Sequence, residues 1–131
     1  MVLSRAHYEE IVAHARAEFP NECCGLLAGR EGRVLRVLRG RNADESPYTY
    51  RLDDRQLFEF HKELDEAGWD LVGIYHSHTA SEAVPSRTDV ARAFYPEAVY
   101  IIISLRDWDR PEVRGFRITD RSVAAEDVVV Q

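Results

Sequence analysis

A chain of 131 residues, 45% of them hydrophobic, is long enough for a single compact core, and we expect one domain over residues 1–131. Its formal net charge is −6 and its charges are interspersed without a basic stripe, which argues against nucleic acid and anionic membrane surfaces as partners. No apolar run approaches the roughly 20 residues that span a bilayer, and charges appear too early at the N-terminus for a signal peptide. The two cysteines, Cys23 and Cys24, are adjacent, so a mutual disulfide would be strained. We interpret them as free, buried thiols in a reducing cytoplasm.

Apolar periodicity, turn formers and helix-ending residues divide the chain into helices, strands and loops. In chain order, we predict a helix over 4–19, strands over 23–28 and 34–38, a loop over 40–52 with turn formers at 42, 44, 46 and 47, a helix from 53 or 54 to 67, a strand over 71–75, a short helix over 86–94, and strands over 98–105, 113–118 and 123–130. Helices on both sides of a mostly β core predict an α/β sandwich.

Two histidines at the end of the predicted strand over 71–75 form the most informative pattern. His76 and His78 are two residues apart, so strand alternation points both imidazoles the same way, about 7 Å apart at Cα. Asp89 falls in the first turn of the helix that follows, where its carboxylate can face the strand end. Two imidazoles, one carboxylate and an open position describe a catalytic zinc site.

Each of these residues also has a purely structural interpretation. Single histidines at strand ends are more often hydrogen-bonded or solvated than metal ligands. Ser86 and Asp89 form a Ser-x-x-Asp pattern that resembles a helix capping box, and a carboxylate bound to metal is expected to cap poorly. The residues alone therefore leave the role of the two histidines open, and they favour a cap over catalysis for Ser86 and Asp89.

The pattern His-x-His, seven residues, Ser, two residues, Asp resembles the signature of the JAMM metallopeptidases, the catalytically competent MPN domains. That family also carries an upstream glutamate, and Glu22, in the run Asn21–Gly29, stands in the expected place. The resemblance implies an MPN/JAMM-type sandwich with a central mixed β-sheet flanked by helices. It also implies one Zn²⁺ per chain held by His76, His78 and Asp89, with Glu22 as general base on a zinc-bound water and Ser86 stabilising the oxyanion.

The runs Tyr-His-Ser-His-Thr-Ala at 75–80 and Pro-Ser-Arg-Thr-Asp-Val at 85–90 look most like those of the actinobacterial Mec-type peptidases within this family. This resemblance implies hydrolysis of the amide bond after the C-terminal Gly-Gly of a ubiquitin-like sulfur-carrier protein, with release of cysteine or another C-terminal residue. We expect Tyr48, Thr49 and Tyr50 to wall the channel for that tail, although core packing is the commoner role of such tyrosines.

Several other functions share parts of this pattern. A deubiquitinase-like isopeptidase and a non-catalytic MPN interaction module are the alternatives within the family. A non-haem Fe(II) oxygenase also uses two histidines and a carboxylate, but usually on an almost all-β barrel. A zinc nucleoside deaminase would need His-x-Glu and Pro-Cys-x-x-Cys, which are absent. The sequence carries no signal for an oligomeric state, and we expect His7, His14 and His61 on the surface.

Overall fold

Eight strands join into one mixed sheet in the computed structural model, which describes all 131 residues. The strands are β1 (Val2–Leu3), β2 (Cys24–Arg30), β3 (Arg33–Arg39), β4 (Asp70–His78), β5 (Val99–Ser104), β6 (Glu112–Thr119), β7 (Ser122–Glu126) and β8 (Val129–Val130). The helices are α1 (Arg5–Glu18), α2 (Asp54–Ala67) and α3 (Arg87–Ala91). The spatial order β7-β6-β5-β4-β2-β3-β1-β8 places β4 in the interior of the sheet. The expected central mixed sheet flanked by helices is confirmed.

The two long helices begin and end close to the predicted residues, for local reasons. Ser4 caps α1, because its Oγ accepts a hydrogen bond from the His7 amide at 3.0 Å. Asp53 caps α2 by accepting from the Gln56 amide at 3.1 Å. Gly68 ends α2 in the left-handed conformation, with φ of 69°, which glycine adopts without steric cost.

Both faces of the central strands are covered, which explains their continuous apolar runs. Along β5, Ile101 and Ile103 pack with α1 on one face, while Tyr100 and Ile102 pack on the other face in a cluster that includes Leu64 of α2. After an irregularity near Gly73, β4 alternates in the same way, with Ile74 in the cluster that includes Leu64 and Tyr75 in the cluster on the α1 face. The side chains of His76 and His78 therefore project from the face that α2 covers.

The C-terminal strand predicted over 123–130 is wrong, because the structure divides it into two strands at opposite edges of the sheet. Only Asp127 and Val128 separate β7 from β8. Eight strands about 4.8 Å apart would put the edges of a flat sheet about 34 Å apart. The three Cα–Cα steps from the end of β7 at Glu126 to the start of β8 at Val129 span at most about 11 Å. The sheet therefore curls until its edges approach, which a local alternation pattern cannot reveal.

Two further differences concern short elements. β1 was not predicted, since a strand of two residues has no periodicity; it forms through parallel pairing with β3 and β8. The helix predicted over 86–94 ends earlier, at Ala91, with Arg92 as its C-cap. Pro96 disfavours helical backbone only in the residue before it, so it did not fix the end of the helix. None of the three helices is both long and apolar enough to span a membrane.

Candidate metal centre

Three buried side chains converge where β4 ends. β4 continues through His78; its pairing with β2 ends at His76 and Cys24, and its pairing with β5 ends at His78 and Ser104. The Nε2 atoms of His76 and His78 lie 3.2 Å apart, and Asp89 Oδ2 lies 3.0 and 2.9 Å from them. These three residues could hold a metal ion.

Asp89 reaches the histidines from the first turn of α3, and the capping box at that turn is present. Ser86 Oγ accepts from the Asp89 amide at 3.0 Å, and the Ser86 amide donates to Asp89 Oδ2 at 2.9 Å. The oxygen that accepts the amide is the same one that faces both imidazoles. The cap and the approach to the histidines therefore coexist in the metal-free chain, and the expectation that a metal-bound carboxylate caps poorly stays a prediction.

The protonation of His78 tests whether these donors fit a metal ion. Its Nδ1 lies 2.9 Å from the Glu82 carbonyl, which can only accept, so Nδ1 carries the proton and Nε2 of the neutral ring is bare. A bare nitrogen and a carboxylate oxygen repel at 2.9 Å unless a proton or a cation lies between them. Ligand atoms about 2.0–2.2 Å from a tetrahedral zinc lie about 3.3–3.6 Å apart. The observed separations of 2.9–3.2 Å are shorter, so the three side chains would have to move apart by a few tenths of an ångström, while the N,N,O donor set itself suits zinc.

The electrostatics of the cluster also favour a cation. Without a metal ion a proton has to take that place. Burial favours the neutral acid of Asp89, yet hydrogen bonds from the Nε2 atoms of His76 and of protonated His78 hold the pKa of Asp89 well below its usual range. Burial lowers the pKa of His76. Burial alone would lower the pKa of His78 as well, but the hydrogen bonds to Asp89 and to the Glu82 carbonyl outweigh it and raise that pKa. The ionised carboxylate thus stabilises positive charge between the rings.

Glu22 stands beside this cluster, just before β2. Its side chain is buried, with 3% of the residue exposed, and its Oε1 has no hydrogen-bond partner. Burial raises the pKa of Glu22 to about 8, with His78 opposing the shift and Asp89 adding to it. Buried carboxyl groups without a partner are rare, and strongly shifted ones concentrate at functional sites.

Ser77, between the two histidines, was not identified from the sequence. It points to the opposite face of β4, where its Oγ accepts from the Cys23 amide at 2.8 Å. The Ser77 amide donates to the Cys23 carbonyl at 3.2 Å, beyond the last ladder pair. Ser77 thereby ties the residue after Glu22 to the strand of the histidines.

The two cysteines are free and buried, as expected from the sequence. Each is 1% exposed, and burial raises the pKa of both thiols, that of Cys23 to about 12. A thiol that stays protonated is neither a nucleophile nor a metal ligand.

The predicted channel residues take three different positions. The Tyr50 ring stacks on the His76 imidazole, with centroids 4.3 Å apart and planes at 20°. Thr49 Oγ1 donates to Asp44 at 3.0 Å, and Tyr48 is 80% exposed. The structure therefore brings Tyr50 to the metal centre, and the channel role of the three residues stays a prediction.

Tyr50 also lines a pocket of about 400 Å³. Its wall is mostly apolar and combines strand residues with the loop before α2 and the segment after α3, including Leu26, Tyr50, Ile74, Phe94 and Tyr100. These residues are far apart in sequence, and no local pattern joins them.

The expected surface position of His14 is wrong. His14 is 4% exposed, and its Nδ1 lies 2.7 Å from the hydroxyl of Tyr75, the neighbour of His76 on β4. Burial lowers the pKa of His14 to about 4, with Arg39 adding to the shift. The signal was present in the sequence, because His14 follows Ile11 by three residues and thus lies on the apolar stripe of α1.

Comparison with known proteins agrees with this fold and identifies its family. A curated relative from Mycobacterium tuberculosis, named CysO-cysteine peptidase, is 48% identical over 122 residues, which cover 92% of this chain and 84% of that protein. A desampylase from Haloferax volcanii is 35% identical over 84% of this chain and 88% of its own length. The solution structure of a protein from Desulfitobacterium hafniense superposes with a TM-score of 0.90 at 38% identity, covering 100% of this chain and 93% of that one. The sequence model described as prokaryotic homologs of the JAB domain matches residues 4–119. The chain therefore belongs to the prokaryotic JAB-domain family, which confirms the JAMM/MPN resemblance of its motif.

Proposed function

We propose that this protein is a zinc-dependent peptidase that hydrolyses the amide bond after the C-terminal Gly-Gly of a ubiquitin-like sulfur-carrier protein, releasing cysteine or another C-terminal residue. The observation that carries the proposal is the His76, His78 and Asp89 cluster with the buried, unpartnered carboxyl of Glu22 beside it. The substrate class is supported by the relatives, one of which is named for a carrier–cysteine bond.

The donor set favours zinc, because two imidazoles and one carboxylate suit it and hydrolysis needs no redox change. One zinc ion per chain, when bound, supplies an acidified water and a Lewis acid for the scissile carbonyl. The residues around it have to move a proton and stabilise the negative charge that develops on that carbonyl oxygen.

Glu22 is the general base in this proposal. Its carboxylate takes the proton of the attacking water and passes it to the departing amine. The pKa of about 8 belongs to the buried carboxyl next to Asp89, and a cation in the cluster would lower it. Glu22 is then ionised and ready to accept a proton near neutral pH.

Ser86 is the oxyanion donor in this proposal. Its Oγ accepts from the Asp89 amide, and a hydroxyl that accepts one hydrogen bond still has its own proton to donate. Removing one such donor typically costs about 3 kcal/mol of transition-state stabilisation.

We also propose that the protein acts in the cytoplasm as a single domain. The free, buried Cys23 and Cys24 agree with a reducing compartment. Acidic and basic residues interspersed along the chain, with a net charge of −6, give no reason to invoke nucleic acid or membrane as a partner.

The test uses the sulfur-carrier proteins of the same genome that end in Gly-Gly, each made with one additional C-terminal cysteine or alanine. Zinc-loaded protein should remove the mass of that one residue, as measured by intact-protein mass spectrometry. A chelator and the Glu22→Gln variant should each abolish the loss. An unchanged carrier mass with zinc-loaded wild-type protein would contradict the proposal.

A second arm separates the alternatives within the family. The relative named desampylase motivates a carrier joined through its C-terminus to a lysine side chain of a second protein. Cleavage of this conjugate in preference to the single-residue adduct would make the protein an isopeptidase. Partner binding without product, equal in wild type and Glu22→Gln, would make it a non-catalytic interaction module.

A further inference from the structure

Asn42 uses every hydrogen-bonding position of its amide at the start of the loop before α2. The side chain is buried, with 9% of the residue exposed. Its Nδ2 donates to the carbonyls of Glu22 at 3.1 Å and Thr49 at 2.9 Å, and its Oδ1 accepts from the amides of Asp44 at 3.0 Å and Arg51 at 3.1 Å. A buried amide with four satisfied positions has one orientation, so it can fix the groups that it contacts.

The backbone of Glu22 depends on this loop, because Glu22 precedes the strand. β2 begins at Cys24, and its pairing with β4 ends at Cys24 and His76. The Glu22 amide donates to the Ser46 carbonyl at 2.9 Å, and the Glu22 carbonyl accepts from Asn42. Both backbone polar groups of Glu22 are therefore bound by the loop and neither by the sheet.

We call residues 42–51 the site loop, because it also contacts each side of the metal centre. Tyr50 stacks on His76. Thr79, next to His78, donates its hydroxyl proton to the Pro47 carbonyl at 3.1 Å. Arg92, at the end of the helix that carries Asp89, donates to the Tyr50 carbonyl at 3.0 Å. One loop thus links the segment of Glu22 to the elements that carry the three ligands.

We propose that Asn42 is a positioning residue that couples Glu22 to the site loop and thereby sets where the carboxylate of the general base lies. The coupling acts through the two N–H groups of the Asn42 side-chain amide. One donates to the backbone carbonyl of Glu22, and the other donates to the carbonyl of Thr49 near the far end of the loop. The catalytic consequence rests on the proposed function, whereas the coupling is a property of the folded chain. Misplacing a catalytic group by about 1 Å can cost on the order of a hundredfold in rate.

The coupling is tested by hydrogen exchange on metal-free protein, read residue by residue with NMR. Asn42→Ala should speed exchange of the Asp44 and Arg51 amides, which lose their acceptor, and also of the Glu22 amide, whose bond to the Ser46 carbonyl should open about tenfold more often or more without the side chain. The Leu27 amide, inside the sheet, should exchange as in wild type, which shows that the variant is folded.

Gln56→Ala is the matched control. Gln56 Oε1 accepts from the Arg41 amide at 2.6 Å, so it also ties the chain next to the site loop, but without contact to Glu22. It should speed exchange at Arg41 and leave Glu22 protected. Wild-type protection of Glu22 in Asn42→Ala, or equal loss of protection in Gln56→Ala, would overturn the coupling.

The catalytic role is tested with Asn42→Asp, which keeps acceptors for the Asp44 and Arg51 amides and loses both donors. We expect one zinc per chain, KM within about threefold of wild type, and kcat lower by about ten- to a hundredfold. Gln56→Ala should keep wild-type kcat. A KM change with kcat unchanged, or wild-type values for both, would overturn the positioning role. Absence of peptidase activity in wild type would instead contradict the proposed function and leave the exchange result standing.

Discussion

Ser86 and Asp89 cap each other across the first turn of α3. The hydroxyl of Ser86 accepts from the Asp89 amide at 3.0 Å, and Asp89 Oδ2 accepts from the Ser86 amide at 2.9 Å. That same oxygen lies within 3.0 Å of the Nε2 atoms of both histidines. A capping box is usually a local device for starting a helix. Here it also fixes a carboxylate against two imidazoles, so the start of α3 orients the candidate metal ligand.

Ser86→Ala should separate the capping role of this serine from its catalytic role. Loss of an N-cap typically costs about 1 kcal/mol of stability, and loss of an oxyanion donor costs about a hundredfold in kcat. We expect zinc content to stay at one per chain, because His76, His78 and Asp89 remain. Thermal unfolding, metal analysis and steady-state kinetics measure the three effects.

The control for that variant is Ser4→Ala at the N-cap of α1. Ser4 makes the equivalent bond to the His7 amide at 3.0 Å, far along the chain from the metal centre. It should lose about the same stability as Ser86→Ala and keep the wild-type kcat. Equal kcat in Ser86→Ala and wild type would refute the oxyanion role and leave only the cap.

Glu22→Gln should change the stability of the metal-free protein in a pH-dependent way. Burial raises the folded-state pKa of Glu22 from 4.5 to about 8, so the folded state holds this proton more tightly than the unfolded chain. The stabilisation that comes from the proton bound to Glu22 is complete below pH 4.5 and decreases as pH rises toward 8. One pKa unit corresponds to about 1.4 kcal/mol, so the loss amounts to a few kcal/mol.

The glutamine variant has no such proton to lose. It should match wild type near pH 4.5 and be more stable by a few kcal/mol at pH 8.5, as measured by urea unfolding of chelator-treated protein. With zinc, the same variant should bind the ion and lose hydrolysis. Parallel stability curves for the two proteins across this pH range would contradict a buried, unpartnered Glu22.

How far the sequence predicts this molecule depends on whether a feature is local. The apolar run of β4 predicts an interior strand, and alternation along it places His76 and His78 on one face. The sequence predicts a turn former at Asn42, and its side chain does accept from the Asp44 amide, but its bonds to Glu22 and Thr49 join segments that no periodicity connects. The backbone of Glu22 is likewise held by the site loop, through the Ser46 carbonyl and the Asn42 amide. The sequence therefore indicates the candidate metal ligands better than the contacts that hold the proposed base in place.

His14 should make the protein less stable in acid. Burial lowers its folded-state pKa from 6.5 to about 4, so the unfolded chain takes up a proton first. The contribution of His14 is present above pH 6.5 and is lost as pH falls toward 4. His14→Gln should therefore flatten the fall in melting temperature between these pH values. Tyr75→Phe leaves the His14 nitrogen without its partner and should cost about 1–3 kcal/mol at pH 7. If the melting temperature falls equally steeply with decreasing pH in His14→Gln and in wild type, other groups cause the loss of stability in acid.

Tyr50 should tune the metal centre through its stack on His76. The rings lie 4.3 Å apart at 20°, so Tyr50 limits the rotation of an imidazole that could ligate the metal ion. Neighbours that orient a ligand are typically worth about ten- to a hundredfold in metal affinity.

Tyr50→Ala should weaken zinc binding by about tenfold in competition with a chromophoric chelator, and Tyr50→Phe, which keeps the ring, should not. Tyr48→Ala should leave zinc affinity unchanged because this side chain is 80% exposed, and should raise KM for the carrier if it walls the channel. Equal zinc affinity in Tyr50→Ala and wild type would mean that β4 alone orients His76, and Tyr50 would then matter only for the substrate.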